Sequence, residues 1–281
     1  MPRRLDHIVH AVRDLDAAAD LYARLGFAVG GRNRHPWGTH NRLVQVSGFF
    51  IELLEVAEPD RIPPPAERSF SFGAFNQNFL ATVGEGLSML ALGSDDAAGD
   101  AERFRQAGIS QFDLFRFERD GQRPDGSVVR LAFSLAFATD PRAPDAGFFV
   151  CQHHSPENLW SPAFQGHANT ANRLERVVMV AAAPAEHRAF LSAMTAEPGA
   201  APAVDAEAGA IEMIDPVTFR ERYGVDPPDV SGGARFAAVH LGLAQPAALA
   251  AATGGAVPIT EHAGLFVVGP EVAHGATLVF S

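Results

Sequence analysis

The 281-residue sequence predicts an α+β fold built from four βαβββ modules in tandem. Two internal echoes carry this reading. Gly26-Phe27 and Gly108-Ile109 each follow a helical stretch, and Gly48-Phe49-Phe50-Ile51 and Gly147-Phe148-Phe149-Val150 each open a last strand. Length agrees, because four units leave about 70 residues each, ample for one helix, four strands and ordinary loops.

The first module opens with Leu5 to Val12, rich in the β-branched residues that favour strands. Asp14 is a helix N-cap. Leu15, Ala18, Ala19, Tyr22 and Leu25 follow at helical spacing, and Gly26 stops the helix. A strand from Phe27, a loop through Gly30-Gly31, and strands at Arg42 to Val46 and Phe49 to Val56 complete the unit. The second module repeats the order. Gly86 to Gly93 is a strand, Asp95-Asp96 caps a helix that ends at Gly108, and strands follow at Ser127 to Thr139 and Gly147 to His153.

In a third, shorter copy Leu174-Glu175-Arg176-Val177-Val178 echoes Leu5-Asp6-His7-Ile8-Val9. A helix lies near Glu186 to Met194, and Ala210-Ile211-Glu212-Met213 echoes Phe50-Ile51-Glu52-Leu53. A fourth starts at Arg235 and ends with Thr277 to Phe280. Pro-rich or aperiodic linkers occupy Pro59 to Ser71, Ser155 to Asn172 and Asp226 to Gly233. The aromatic stretch Phe70 to Phe79 reads as a connector that clamps modules together or walls a cleft. The break near residue 170 separates two paired-module halves. Residues 1–170 hold modules at about 1–58 and 86–154; residues 171–281 hold modules at about 172–216 and 234–281.

The chain carries 33 acidic and 22 basic residues, a formal charge of −11, and every basic residue is arginine. Without lysine there is no Schiff base, no lysine-anchored pyridoxal phosphate and no P-loop lysine. The acidic balance argues against nucleic acid as a partner. The single cysteine, Cys151, excludes an internal disulfide. The first residues lack the apolar core of a signal peptide, and the longest apolar run, Val177 to Ala185, falls far short of the ~20 residues that span a bilayer. The expectation is a cytoplasmic protein without a membrane partner. The sequence sets no oligomeric state, and a homodimer is one option.

Leu5-Asp6-His7-Ile8-Val9, Asp14-Leu15 through Leu25-Gly26-Phe27, and Phe50-Ile51-Glu52-Leu53 together resemble the vicinal oxygen chelate superfamily of glyoxalases, bleomycin-resistance proteins and extradiol dioxygenases. The run His35-Pro36-Trp37-Gly38-Thr39-His40-Asn41 looks like a stretch shared by the glyoxalase-like branch. The resemblance implies cup-shaped mixed sheets with helices outside, formed by paired modules around a metal-binding cleft. It also implies that metal ligands sit on the first and last strands of each module, positions held here by His7 and Glu52. An imidazole and a carboxylate suit a divalent ion such as Zn, Fe, Mn or Ni. Read without the resemblance, a lone strand histidine is usually a satisfied core or surface group. A carboxylate inside an apolar strand is harder to dismiss, since it needs a metal, an arginine or hydrogen bonds.

The second module departs from the pattern, with Met89 or Ser88 at the position of His7. Counting from Gly147 places Cys151 opposite Glu52. Strand alternation puts His153 on the same face and His154 on the other, so His153 is the third expected ligand and Cys151 its alternative. The segment Arg32 to Arg42 brings Arg34, His35, Trp37, Thr39, His40 and Asn41 beside the expected cleft. With Cys151 they form a pocket for a small anionic or polar molecule; the plainer reading is a solvated loop that turns at Gly38-Thr39. The polar run Gln152 to Trp160, with His167 and Asn169, closes that pocket or forms a junction network.

In the third module Arg176 replaces the first-strand ligand while Glu212 is retained, which predicts an Arg176–Glu212 contact. In the fourth, Val279 takes the carboxylate position and His240 lies near the first. The expected function is a divalent-metal-dependent lyase or isomerase acting on a small oxygen-bearing molecule, with Glu52 also moving a proton. The alternatives are a metal-free binding or sequestration protein, in which Arg34 or Arg42 pairs with Glu52, and an extradiol-type dioxygenase.

Overall fold

The computed structural model describes residues 3–122, 126–197, 203–206 and 209–281; Met1 and Pro2, the opening of the first predicted module, lie outside them. The first module is β1 (Leu5–Val12), α1 (Leu15–Arg24), β2 (Asn33–Arg34), β3 (Thr39–Val46) and β4 (Phe49–Val56). Asp14 caps α1 by accepting hydrogen bonds from the Asp16 and Ala17 amides. A helix, α2 (Phe72–Thr82), leads into the second module: β5 (Gly86–Gly93), α3 (Ala97–Gln106), β6 (Phe115–Gln122), β7 (Val128–Ala138) and β8 (Gly147–His153). A short turn of helix, α4 (Pro156–Leu159), follows. The third unit is β9 (Ala171–Val180), α5 (Arg188–Thr195), β10 (Ala203–Ala206) and β11 (Gly209–Ile214), followed by α6 (Pro216–Tyr223). The fourth is β12 (Arg235–Leu243), α7 (Ala247–Thr253), β13 (Thr260–His262), β14 (Leu265–Val268) and β15 (Thr277–Phe280).

Two mixed sheets result, ordered β2-β3-β4-β1-β5-β8-β7-β6 and β10-β11-β9-β12-β15-β14-β13. Within each, modules meet through antiparallel first strands, β1 on β5 and β9 on β12. Each first strand also runs parallel to its own module's last strand, as β1 does with β4 and β5 with β8. The first and last strands of both modules therefore sit at the centre of the sheet, where a site built from them is most buried.

Several elements differ from the expected pattern, β6 and α6 among them, which the sequence reading did not place. No strand starts at Phe27; the backbone is irregular until Asn33, and β2 is two residues long. The Arg32 to Arg42 loop is instead a hairpin, because β3 already begins at Thr39. The Phe70 to Phe79 connector holds a helix, capped by the Ser71 hydroxyl, which accepts from the Ala74 amide. Phe72, Asn76, Phe79 and Leu80 are its buried face, at the spacing of one helical stripe.

One apolar cluster joins the halves. It takes Ile8, Ile51, Leu90 and Val150 from the first sheet, Leu21 and Tyr22 from α1, and Val177, Met179, Val239 and Phe280 from the second sheet. Phe148 meets Phe190 and Phe236 edge-on or tilted at 4.8 and 5.3 Å between ring centres. A hydrogen bond crosses the same boundary, from Arg3 Nη1 to the Met194 carbonyl (2.6 Å). The predicted Arg176–Glu212 contact is present at 2.9 Å, and Arg222 of α6 adds a second at 2.6 Å to the same carboxylate oxygen. Phe219 and Tyr223 of α6 pack with Val178, Val180, Ala238 and Val279, so this helix plugs the second cup.

Two expectations follow. His10 is fully buried, donating from Nε2 to the His274 carbonyl (2.9 Å) and accepting at Nδ1 from the Tyr22 hydroxyl (3.1 Å), a neutral tautomer with both nitrogens used. Burial lowers its pKa to about 4 from 6.5. As pH falls below 6.5 the unfolded chain binds this proton first. The stability held by neutral His10 is therefore complete above that pH and is lost towards pH 4, about 2 kcal/mol by pH 5. Urea denaturation at pH 7 and pH 5 will show this slope, to which buried His35, His167 and His240 also contribute, and His10→Gln will reduce it. Glu212→Ala leaves two half-exposed guanidinium groups facing each other and lowers stability by about 1–2 kcal/mol, with part regained when Arg176→Met is added.

Candidate active site

The concave face of the first sheet is lined by alternate residues of its strands. β1 offers His7 and Val9, β4 Phe50 and Glu52, and β8 Phe149, Cys151 and His153. From β3 come Asn41 and Leu43, and from the second module's outer strands come Phe117, Arg119, Phe133 and Leu135. They enclose a cavity of about 40 Å³, with Phe72 of α2 and Leu159 of α4 on its rim. That space holds about three waters, or an ion with one or two.

Asp6 organises the deepest part. Its Oδ2 accepts from His7 Nδ1 at 2.6 Å and from His153 Nε2 at 3.0 Å. Simple alternation would turn Asp6 away from His7, but the pairing of β1 with β5 shifts register between Leu5 and His7, and such bulges re-aim a side chain. Burial works against the Asp6 charge, yet His153 and His7 outweigh it and hold the carboxyl well below the usual range. With Nδ1 donating to Asp6, His7 presents Nε2 towards Glu52 Oε2, 3.7 Å away. This is too long for a hydrogen bond. Phe50 stacks on the His7 ring at 4.4 Å and fixes its plane.

Glu52 is buried, and its other oxygen, Oε1, accepts from Asn41 Nδ2 at 2.5 Å. The carboxylate is thus satisfied by an amide and not by Arg34 or Arg42. Asn41 accepts in turn from Asn33 Nδ2 (3.0 Å), and Asn33 from Arg119 Nη1 (3.0 Å). His35 Nε2 stands 3.8 Å from Glu52 Oε1, and its Nδ1 bonds the Thr39 hydroxyl at 2.9 Å. Burial, reinforced by Arg119, lowers the His35 pKa well below 6.5, so the ring is neutral. The turn that carries His35 and Trp37 needs Gly38, which has φ +84° and where an added Cβ would fall 2.2 Å from the Glu58 carbonyl oxygen.

The expected site residues therefore divide. His7, Glu52, His153, His35, Trp37, Asn41 and Cys151 all line the cavity, and Thr39 stands behind His35. Arg34 is exposed and outside it. His40 points to the other face of β3, where Nε2 meets Glu58 at 2.9 Å. Arg32 and Arg42 are likewise taken by Asp16 and Glu55. His154 faces away and bonds Ser134, and Met89 faces the cup but packs on Asn76. The polar run after β8 serves both anticipated roles: Leu159 rims the cavity, while His167 bonds the Gln45 carbonyl (2.7 Å) at the junction.

Among the described residues three donor atoms converge, one each from Asp6, Cys151 and His153, all within 4.8 Å of one another. Burial, with Asp6 and Glu52, pushes the Cys151 thiol well up, so it is protonated in this environment. Asp6 Oδ1 and His153 Nδ1 are buried without hydrogen-bond partners among the described residues. Sequence reasoning gave no role to Asp6 or Arg119. The signal for Asp6 is the one that marked Glu52, a carboxylate within an apolar strand; for Arg119 it is the alternation Phe115-Arg116-Phe117-Glu118-Arg119.

Residues 5–195 match the family of glyoxalase-like domains. A hypothetical protein from Staphylococcus aureus aligns over 99% of this chain and 98% of its own, with a TM-score of 0.64 and 14% identity. A mutant 4-hydroxymandelate synthase from Streptomyces coelicolor aligns over 100% of this chain and 92% of its own, with a TM-score of 0.61 and 11% identity. Methylmalonyl-CoA epimerase from the same organism covers 55% of this chain and 99% of its own, at 22% identity and a TM-score of 0.37. At such identities the first two likenesses establish the fold alone. No curated protein matches the sequence. With the family match spanning more than half of the sequence, the chain belongs to the family of glyoxalase-like domains.

Proposed function

We propose that the first cup is the active site of a divalent-metal-dependent lyase or isomerase that moves a proton on a small oxygen-bearing organic molecule. The observation that carries this reading is the buried line Asp6–His7–Glu52. Asp6 takes the Nδ1 proton of His7 at 2.6 Å, and the opposite nitrogen is left facing a carboxylate oxygen 3.7 Å away. A histidine that ligates a metal usually has its other nitrogen held in this way. Two ligand atoms on one ion stand about 3–3.7 Å apart, the spacing seen here.

The residues present fit a borderline divalent ion. His7 and Glu52 would hold it, with Asp6 orienting the His7 and His153 imidazoles; His153 would be the third ligand, although its donor atom converges with Asp6 and Cys151 and not with the His7–Glu52 pair. Such an ion, when bound, polarises a substrate oxygen and stabilises the negative charge that develops on it. The chain's own groups do the rest. Asn41 holds Oε1 of Glu52 and keeps the carboxylate turned to the cavity, where it would take and return a proton. Phe50, Phe72, Phe117, Phe133 and Phe149 exclude water from a charge that forms there. Neutral His35 donates no charge to the site and keeps Thr39 and the Trp37 turn in place.

A metal-free binding protein is the second reading, and Asn41 favours it, since Glu52 has one oxygen satisfied without an ion. Metal analysis of protein purified without chelator separates the two. The enzyme reading predicts stoichiometric divalent metal, lost in His7→Ala and Glu52→Gln. Absence of metal, with no change in melting temperature on adding Zn, Fe, Mn or Ni salts, would contradict it. Asp6→Asn is expected to weaken metal affinity about 10–100-fold while the fold persists, measured by competition with a chelating dye.

A further inference from the structure

Arg119 is a buried cation that meets no carboxylate among the described residues. The residue is 7% exposed, its Nε has no partner, and Nη1 donates to two neutral oxygens, Asn33 Oδ1 (3.0 Å) and the Asp120 carbonyl (3.2 Å). Its guanidinium lies 6.0 Å over the Phe133 ring, which holds it inward. Glu52 favours the charge from a distance, but burial outweighs it and lowers the Arg119 pKa, so an anion in direct contact would be strongly favourable. Arg32 and Arg42 of the neighbouring hairpin, by contrast, share Asp16.

The position of Arg119 says where that anion would come from. The residue lines the inner cavity and also an outer hollow of about 270 Å³, and Leu43 and Leu159 complete the wall between them. Trp37 Nε1, a second buried donor on the inner cavity, also has no acceptor. Two unsatisfied donors on one cavity, one of them charged, call for a ligand rich in acceptor oxygens. Arg119 is also wired to Glu52. Arg119 donates to Asn33, Asn33 Nδ2 donates to Asn41 Oδ1 (3.0 Å), and Asn41 donates to Glu52. All three bonds point the same way, from the guanidinium to the carboxylate, so each strengthens the next.

We infer that the substrate of this site is a carboxylate, that Arg119 reads its carboxylate group at the wall between the two spaces, and that its larger remainder lies in the outer hollow. The inference rests on the first cup being a ligand site, but not on a metal. Guanidinium grips a carboxylate through paired donors, which neither a lysine nor an amide reproduces. The amide chain then places the bound carboxylate and Glu52 at fixed positions on the same network.

The chain's two tryptophans flank the cavity, Trp37 in its wall and Trp160 edge-on to Phe50 at 5.7 Å, so tryptophan fluorescence reports on occupancy. Full-length, chelator-treated protein is titrated with pyruvate, with phenylpyruvate and with methyl pyruvate, the neutral ester. The acids are expected to give saturable changes, phenylpyruvate the tighter, with the ester at least tenfold weaker. Arg119→Gln should lose at least tenfold in acid affinity, Arg119→Lys should fall between, and Arg130→Gln, a surface control, should bind like the parent. Equal binding of acid and ester, unchanged binding by Arg119→Gln, or no binding of either acid overturns the inference. Should both Arg119 variants fold poorly, the acid-against-ester preference of the parent protein decides. Because no metal is needed, the result separates this inference from the metal reading: either stands if the other fails.

Discussion

The first cup depends on one buried carboxylate. Asp6 sits at the seam where β1 of the first module meets the second, and a single oxygen accepts from a histidine of each, His7 and His153. An isolated carboxylate in such a place would be prohibitively costly. With two imidazoles on it the charge is retained, the modules are tied at their common axis, and both rings are fixed in orientation. The geometry of Glu52, Asn41 and the cavity walls is set against that fixed pair.

The second cup shows what the same frame becomes without this arrangement. Arg176 stands where His7 does and Glu212 where Glu52 does. The carboxylate is closed off by two guanidinium groups, Arg176 and Arg222, and α6 fills the bowl with Phe219 and Tyr223. A cation on a side chain does there what an ion or a substrate would do in the first cup. The convex faces of both sheets merge into one core, so the second half also buttresses the first, through Phe148 against Phe190 and Phe236.

Much of this was legible in the sequence because strand alternation is rigid. The repeat echoes located β1, β4, β5 and β8, and period-two counting put Cys151 and His153 on one face and sent His154 to the other, as the structure has them. The misses have physical causes. The arginines of the hairpin looked like pocket cations by proximity, but β3 begins at Thr39, so its even positions face α1 and its acids. Asp6 was invisible to alternation because a register shift turns it. Arg119 was missed with its whole strand, since Phe115 to Gln122 alternates aromatic with charged residues and lacks the aliphatic run that marked the central strands. The aromatic face of α2 likewise reads as a linker until Phe72, Asn76, Phe79 and Leu80 are counted on one helical stripe.

The central claim is that Asp6 poises His7 and Glu52 as a pair of ligands around one point in the cavity. Anomalous diffraction from crystals soaked in manganese or zinc tests it most directly. The account predicts a single strong peak between His7 Nε2 and Glu52, with His153 beside it, that disappears in Glu52→Gln. A peak confined to surface carboxylates, or none in the cup at full occupancy of the soak, would contradict it.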